Sequence, residues 1–168
     1  MERLLFVCGG NTCRSPMAAA LADAMLRRRG MDGRWEVASA GVAAFAGDEA
    51  TPLARSVVAR RGLSLEGHRS RPLSAYDVEM ARLVLTMTLA QRDALRRLYP
   101  EFRERIFLLS EAAGRTLSGQ ERESEAGGGP SPLLEIEDPF GGDGADYEDA
   151  AALLEELIDR LLMTIADP

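Results

Sequence analysis

The sequence predicts an α/β fold with a four-stranded parallel sheet and helices on both of its faces. Four short apolar segments alternate along the chain with segments that carry helical periodicity and helix-capping residues. The segment 83–87 is apolar with almost no polar interruption, which is typical of a central parallel strand buried on both faces. Strands that alternate with helices favour a parallel sheet with right-handed crossovers and a helix layer on each side.

The first helix is marked by residues that suit its two ends. Pro16 lies in its first turn and Gly30 follows its end, so a helix is predicted at 17–29. The four predicted strands are short apolar runs between turn residues or charges, at 3–7, 35–39, 83–87 and 106–109.

Two further helices carry recognisable caps. Thr51 is placed to cap a helix that has Pro52 at its first position and Gly62 after its end. Thr88 and Gln91 have the spacing of a capping box, which predicts a helix that ends near residue 98. A loop is predicted at 42–50 and a short helix at 74–81.

The end of the chain contains its most regular helical pattern and, before it, its least regular segment. Residues 114–132 are rich in Gly, Ser, Glu and Pro, which predicts a mobile surface loop inserted in the domain. The last helix has one continuous apolar stripe, formed by Ala150, Leu153, Leu154, Leu157, Ile158, Leu161, Leu162 and Ile165.

Composition limits the class of protein. The chain has 168 residues, of which 46% are hydrophobic, so we expect one globular domain at 1–168. No apolar run approaches the ~20 residues of a membrane span, and the N-terminal run is too short for a signal peptide. We therefore expect a cytoplasmic protein without a membrane partner. A net charge of −7 argues against nucleic-acid binding, and two cysteines are too few for a disulfide scaffold.

A nine-residue turn between the first strand and the first helix carries the chemistry. Residues 8–16 read Cys-Gly-Gly-Asn-Thr-Cys-Arg-Ser-Pro, and backbone N–H groups at such a turn suit a phosphate. Gly9 and Gly10 are expected to supply the positive φ that curls the loop, while Arg14 adds a fork for two phosphate oxygens. The same positive field favours the thiolate form of Cys8. A nucleophile beside an anion binder predicts a phosphatase with a cysteinyl-phosphate intermediate.

These nine residues resemble the signature loop of the low-molecular-weight protein tyrosine phosphatases. Asp138-Pro139-Phe140-Gly141 resembles the second motif of that family. The resemblance covers nearly the whole chain except about 114–133, and it implies the phosphotyrosine protein phosphatase I-like fold. Tyrosine-directed members usually have Ile or Leu where this chain has Thr12. Thr12, with Gly141 and Gly142 after Phe140, resembles the bacterial protein arginine phosphatases.

The resemblance also implies roles for individual residues. A thiolate cannot protonate a leaving group, so the mechanism needs a separate acid, and Asp138 matches the family's acid. Its alternative role is that of a turn residue before a proline. We expect Phe140 to line the pocket; the alternative is that it is an ordinary core residue. The predicted supporting residues are Asn11, Ser15, Ser39 and His68. Asn11 and Ser15 could instead be simple turn and cap residues, and His68 could instead have a structural or surface role.

Cys13 has two interpretations. It is either a small core residue or, as the resemblance implies, the partner of a reversible disulfide that protects Cys8 from over-oxidation. The second interpretation predicts a redox-sensitive enzyme.

The leading hypothesis is a phosphatase that removes phosphate from arginine side chains of phosphorylated proteins. The first alternative is a protein tyrosine phosphatase with the same chemistry. Thiol redox enzymes such as the related arsenate reductases need further cysteines, and the chain has only Cys8 and Cys13. A non-catalytic phosphate-binding module would be expected to lose Cys8, Arg14 or Asp138. No metal-ligand cluster is visible, so neither a metal nor another cofactor is expected; the oligomeric state is not indicated.

Overall fold

The computed structural model describes residues 1–114 and 133–166. Its four strands are β1 (Glu2–Cys8), β2 (Trp35–Gly41), β3 (Leu83–Thr86) and β4 (Ile106–Leu108). Its α-helices are α1 (Arg14–Arg28), α2 (Pro52–Ala59), α3 (Ala75–Met80), α4 (Leu89–Leu98), α5 (Leu109–Ala113) and α6 (Gly144–Ala166), with a 3₁₀ helix at Pro100–Arg105.

The strands form one parallel sheet in the order β2-β1-β3-β4. The chain runs from β1 to one neighbour, β2, and then crosses to the other neighbour, β3. This change of direction makes the carboxyl end of β1 a topological switch point, where parallel α/β sheets bind their ligands. Cys8 is the last residue of β1 and pairs with Gly41 of β2. The predicted fold class is confirmed.

Alternate residues of β1 enter two separate hydrophobic cores. Leu4 and Phe6 pack in the larger core, against α1, α2, α5 and α6. Leu5 and Val7 pack on the opposite face, where α3 and α4 supply the buried partners Val78 and Leu95. Because the central strand is covered on both faces, its carboxyl end is held in a fixed position.

Side-chain caps fix where three of the helices begin. Thr51 accepts a hydrogen bond from Ala54 N–H at the start of α2. Thr88 and Gln91 form the predicted capping box of α4. Ser74 and Asp77 form a second capping box at α3, within the predicted short helix.

Several element boundaries differ from the sequence prediction. Helix α1 begins at Arg14 instead of residue 17, so the helix follows the 8–13 turn without a spacer. Leu109, predicted as the end of the fourth strand, instead opens the short helix α5. Of the predicted mobile loop at 114–132, all but Gly114 lies outside the described residues. None of the described helices is long and apolar enough to cross a membrane.

Candidate active site

The 8–15 loop, which joins β1 to α1, is held by its carbonyl groups. Three backbone carbonyls accept hydrogen bonds from backbone N–H groups outside the loop: Cys8 from Val42 N–H, Gly9 from Ala43 N–H and Thr12 from Thr51 N–H. Within the described part of the chain, the N–H groups of residues 10–13 have no acceptor. Helix α1 also begins without a side-chain cap. Loop and helix therefore offer unpaired donors to an anion.

The positive φ of this loop lies at Asn11, where φ is 57°. The prediction that Gly9 and Gly10 supply the positive φ is therefore wrong. Left-handed backbone is accessible to Asn because its short side chain can form local hydrogen bonds, and here that side chain is fully buried and bonded on both ends. The loop also needs Gly41 beside it, since a Cβ there would lie 2.5 Å from the Gly9 carbonyl oxygen.

Hydrogen bonds of fixed direction lead to the Cys8 thiol. The Arg71 N–H donates to Asn11 Oδ1 at 3.0 Å, which fixes the orientation of the Asn11 amide. Asn11 Nδ2 then donates to Ser15 Oγ at 2.9 Å and to Ser39 Oγ at 3.0 Å. Ser15 Oγ lies 3.0 Å from Cys8 Sγ. Because Ser15 already accepts from Asn11, its own hydrogen is available to the sulfur, and such a donor stabilises a thiolate.

His68 supports the same loop from another direction. Its Nε2 lies 2.7 Å from the Asn11 carbonyl oxygen. A carbonyl can only accept, so this nitrogen carries the proton. The structure thus brings Asn11, Ser15, Ser39 and His68 into one network, as expected for supporting residues.

Arg14 connects the loop to Asp138. Its side chain is 7% exposed, and its Nη2 lies 3.5 Å from Asp138 Oδ2. Its Nη1 donates to the Ile136 carbonyl at 2.9 Å. The buried Nε has no partner in the described part of the chain, which leaves a donor for an anion held by the loop amides.

The segment that carries Asp138 is anchored at several points. Ile136 N–H donates to the Met87 carbonyl at the end of β3, and Glu135 accepts from Leu89 N–H at the start of α4. Asp138 Oδ1 accepts from Phe140 N–H at 3.1 Å. These bonds hold the carboxylate beside Arg14 while 55% of its side chain remains exposed.

One cavity of about 620 Å³ opens over these groups. Cys8, Arg14 and Asp138 line it together with Thr12 and Phe140. Phe140 is 71% exposed, so it is a wall residue, as expected, and not a core residue. In the described part of the chain, no group of three or more His, Cys, Asp or Glu side chains could hold a metal ion.

Known phosphatases resemble this chain along nearly its whole length. A family model described as low molecular weight phosphotyrosine protein phosphatase matches residues 3–167. The chain belongs to this family. A protein-arginine-phosphatase of Geobacillus stearothermophilus is 40% identical to it over 159 residues, which are 95% of this chain and 93% of the relative.

Solved structures from the same family have the same fold. A cysteine-to-serine mutant of YwlE arginine phosphatase, with a phosphorylated active-site serine, has a TM-score of 0.82 at 32% identity, over 99% of this chain and 97% of that one. A low molecular weight protein tyrosine phosphatase from T. tengcongensis has a TM-score of 0.83 at 35% identity, over 97% and 99% of the two chains.

Cys13 of this family member is buried among hydroxyl groups. Its sulfur lies 3.3 Å from Tyr147 Oη and 3.6 Å from Thr51 Oγ1. Burial and the hydrogen bond to Cys13 raise the pKa of Tyr147 to about 12, so this hydroxyl keeps its proton at neutral pH. The contacts join the loop to α2 and α6. A disulfide with Cys8 stays a prediction, since both cysteines are free in this structure.

Sequence reasoning missed two contributors to the site. Arg71 acts through its backbone N–H, which any residue except proline could supply, so no residue type marks it. Tyr147 lies in the first turn of α6, and a single tyrosine on a helix is more often a core residue. The available signal was its hydroxyl, which usually finds a partner when the ring is buried.

Proposed function

We propose that this chain is a cysteine-dependent phosphatase that hydrolyses phosphoarginine in proteins through a phosphate ester of Cys8. The observation that carries the proposal is the meeting of Cys8, the unpaired loop N–H groups and Arg14 in one cavity. The loop amides and Arg14 bind the phosphoryl oxygens, and they stabilise the charge that develops on them.

In the first step, Cys8 Sγ attacks phosphorus and the bond from phosphorus to the leaving group breaks. Ser15 donates to the thiolate and keeps it aligned. Asp138 gives a proton to the departing nitrogen, so that a neutral or cationic group leaves. Asp138 Oδ2 is better suited to this transfer than Oδ1, because Oδ1 accepts a hydrogen bond from the Phe140 N–H whereas Oδ2 lies 3.5 Å from Arg14 Nη2 without a hydrogen bond in the described part of the chain.

In the second step, water attacks the phosphorus and the sulfur–phosphorus bond breaks. Asp138, now ionised, takes the proton from this water, and Cys8 leaves again as a thiolate. The phosphorylated serine in the related arginine phosphatase structure supports a covalent intermediate at the nucleophile position.

The arginine preference rests on Thr12 and on the relatives. Thr12 lines the cavity, where its methyl group narrows the approach to Cys8 and its hydroxyl can accept from a guanidinium N–H. The protein-arginine-phosphatase relative is 40% identical. A cytoplasmic location also belongs to this proposal, supported by two free cysteines.

A protein tyrosine phosphatase is the second candidate, and the related T. tengcongensis enzyme favours it. Its phenol leaving group would pack against Phe140, which lines the cavity. The same reaction steps apply, with oxygen in place of nitrogen.

A side-by-side assay separates the two candidates. The wild-type protein is given a phosphoarginine protein and a phosphotyrosine protein under one set of conditions, and kcat/KM is measured for each. We expect the higher value for phosphoarginine, and no turnover of either substrate by Cys8→Ser. A higher value for phosphotyrosine would assign the second function.

A further inference from the structure

Two exposed side chains form part of the rim of the cavity. Phe45 and Asp48 both line the cavity that contains Cys8. Phe45 is 81% exposed, more than any other large hydrophobic side chain in the described part of the chain. An aromatic ring left in solvent at the entrance of a binding cavity is suited to contact a ligand.

The loop that carries these side chains is held rigidly by one buried serine. Ser70 is 2% exposed, and all of its polar atoms bond to this loop. Its Oγ donates to the Phe45 carbonyl and accepts from Asp48 N–H, its N–H donates to the Asp48 carbonyl, and its carbonyl accepts from Gly47 N–H. The backbone of the loop at Phe45 and Asp48 is therefore held in place before any substrate binds.

The two acidic side chains of this loop differ in their partners. Glu49 has two basic neighbours, Arg55 at 3.8 Å and Arg69 at 3.5 Å. Asp48 forms no ion pair within the described residues. A carboxylate without a basic partner next to an exposed aromatic ring can bind a cation, by charge from one side and by the ring face from the other.

We propose that Phe45 and Asp48 form a specificity site for an arginine or lysine that neighbours the phosphorylated residue in the protein substrate. This inference rests on the proposed function, because it needs a phosphorylated residue with its phosphate at the 8–15 loop. The site selects substrates from basic segments, and Ser70 acts as its positioning residue.

The test uses matched peptides that differ in one neighbour of the phosphorylated residue. One set has arginine at the neighbouring position, a second has alanine and a third has glutamate. We expect kcat/KM to be about three- to tenfold higher with arginine than with alanine, the effect of one exposed ion pair with a cation–π contact. Glutamate should be the poorest neighbour. The arginine preference should shrink as salt rises from ~0.05 M to ~0.5 M, because exposed charges are screened.

Three variants identify the residues responsible. Asp48→Asn and Phe45→Leu should each reduce the ratio of kcat/KM on arginine peptides to kcat/KM on alanine peptides. Ser70→Ala should reduce the same ratio, because the loop loses the two hydrogen bonds of the serine hydroxyl. Asp32→Asn is the matched control. It removes the same charge from the turn before β2, at the opposite end of that strand from the loop with Phe45 and Asp48, and should leave the ratio unchanged.

The outcomes separate this inference from the proposed function. The specificity site would be overturned if all peptides were hydrolysed with equal kcat/KM. It would also be overturned if Asp48→Asn left the ratio of kcat/KM between arginine and alanine peptides unchanged. In both cases the phosphatase proposal would stand. If only phosphotyrosine peptides are hydrolysed and they show the arginine preference, the proposed arginine substrate is wrong and the specificity site is supported.

Discussion

At the scale of single residues, the direction of each hydrogen bond decides what reaches the Cys8 sulfur. The Asn11 amide cannot turn over, because Oδ1 accepts from the Arg71 N–H. Its Nδ2 must therefore donate to Ser15, and the Ser15 hydrogen is left for Cys8. A serine in this position stabilises the charged nucleophile, although its side chain touches no substrate.

Ser15→Ala removes that donor and should make Cys8 less nucleophilic at neutral pH. A hydrogen bond to a charged group contributes about 1.5–3 kcal/mol, so the alkylation rate of Cys8 by iodoacetamide should fall about tenfold or more. Ser39→Ala is the control, since it leaves the contact between Ser15 and Cys8 in place and should have a smaller effect. Equal rates in the wild type and Ser15→Ala would rule out this role.

Thr12→Ile tests the residue to which we attribute the substrate preference. The change removes a hydroxyl that can accept from a guanidinium and presents an apolar wall to a phenol. We expect kcat/KM to fall on phosphoarginine by about one to two decades, the equivalent of one hydrogen bond to a charged group, and to rise on phosphotyrosine. Thr12→Ser keeps the hydroxyl without the methyl, so it should admit phenols and retain phosphoarginine. If Thr12→Ile leaves the ratio of kcat/KM on phosphoarginine to kcat/KM on phosphotyrosine unchanged, the substrate preference depends on Phe140 and the rim instead of Thr12.

Site residues could be predicted from the sequence where they stand in a short motif, but the contacts of their side chains could not. Cys8, Arg14 and Asp138 stand in recognisable motifs, and the structure places all three on one cavity. The positive φ at Asn11 was assigned to the neighbouring glycines, because propensity favours glycine there. The hydrogen bonds of the buried Asn11 side chain outweigh that preference, and two of the three join it to residues 28 and 60 positions away.

At the scale of elements, the loop between β1 and α1 depends on how closely β2 approaches it. Gly41 ends β2, and a Cβ at this position would lie 2.5 Å from the Gly9 carbonyl oxygen and 2.7 Å from Ala44 Cβ. The loop can hold its shape only if this position has no side chain.

Gly41→Ala should therefore destabilise the protein and displace the loop. Overpacking of this kind costs about 1–3 kcal/mol, which denaturant unfolding can measure, and turnover should fall with it. Gly33→Ala is the matched control, because a Cβ there meets nothing within 4 Å. If both variants unfold at the same denaturant concentration as the wild type, the close approach of β2 does not constrain the loop.

The segment before Asp138 shows why sequence alone could not fix the position of the acid. It is held by the end of β3, by the start of α4 and by Arg14. Each of these contacts uses a backbone group on at least one side, so no residue pattern marks them. The sequence predicted a loop able to reach the carboxyl edge of the sheet, and the structure supplies the anchors.

At the scale of the whole molecule, the parallel sheet could be predicted from the sequence, but its strand order could not. Alternating strands and helices with capping signals predict a parallel sheet, and the apolar stripe of α6 predicts a helix packed on it. The short helix α5 and the 3₁₀ helix at Pro100–Arg105 were missed, since segments of five or six residues have weak periodicity.

The fold is also stabilised by an ion pair between the buried Asp77 and the partly exposed Arg71, which should respond to pH. Burial of Asp77 opposes its ionisation, but hydrogen bonds from Arg71 and Ser74 outweigh burial, and the pKa of Asp77 is lowered. Both Asp77 oxygens lie 2.9 Å from Arg71 Nη1, and the Arg71 backbone N–H holds Asn11. Because the pKa is lower in the folded state, this stabilisation is complete above the unfolded pKa near 3.8 and is lost as pH falls through the folded value.

Asp77→Asn should therefore lower the free energy of unfolding at pH 7 by about 1–3 kcal/mol. The difference between variant and wild type should shrink as the pH falls below 4, where the wild-type carboxylate also takes up a proton. Urea unfolding at several pH values measures both effects. A difference that is independent of pH would show that packing, and not the charge of Asp77, is responsible.

The central claim is that Cys8 carries the phosphate of a phosphoarginine protein during turnover. Rapid acid quench of the wild-type protein with such a substrate, followed by mass spectrometry of its peptides, tests this most directly. We expect a phosphate on the peptide that contains Cys8 within the first turnover, and none in Cys8→Ala or after Cys8 has been alkylated. Release of phosphate with no phosphorylated Cys8 peptide at any time, or turnover retained in Cys8→Ser, would contradict the proposed mechanism.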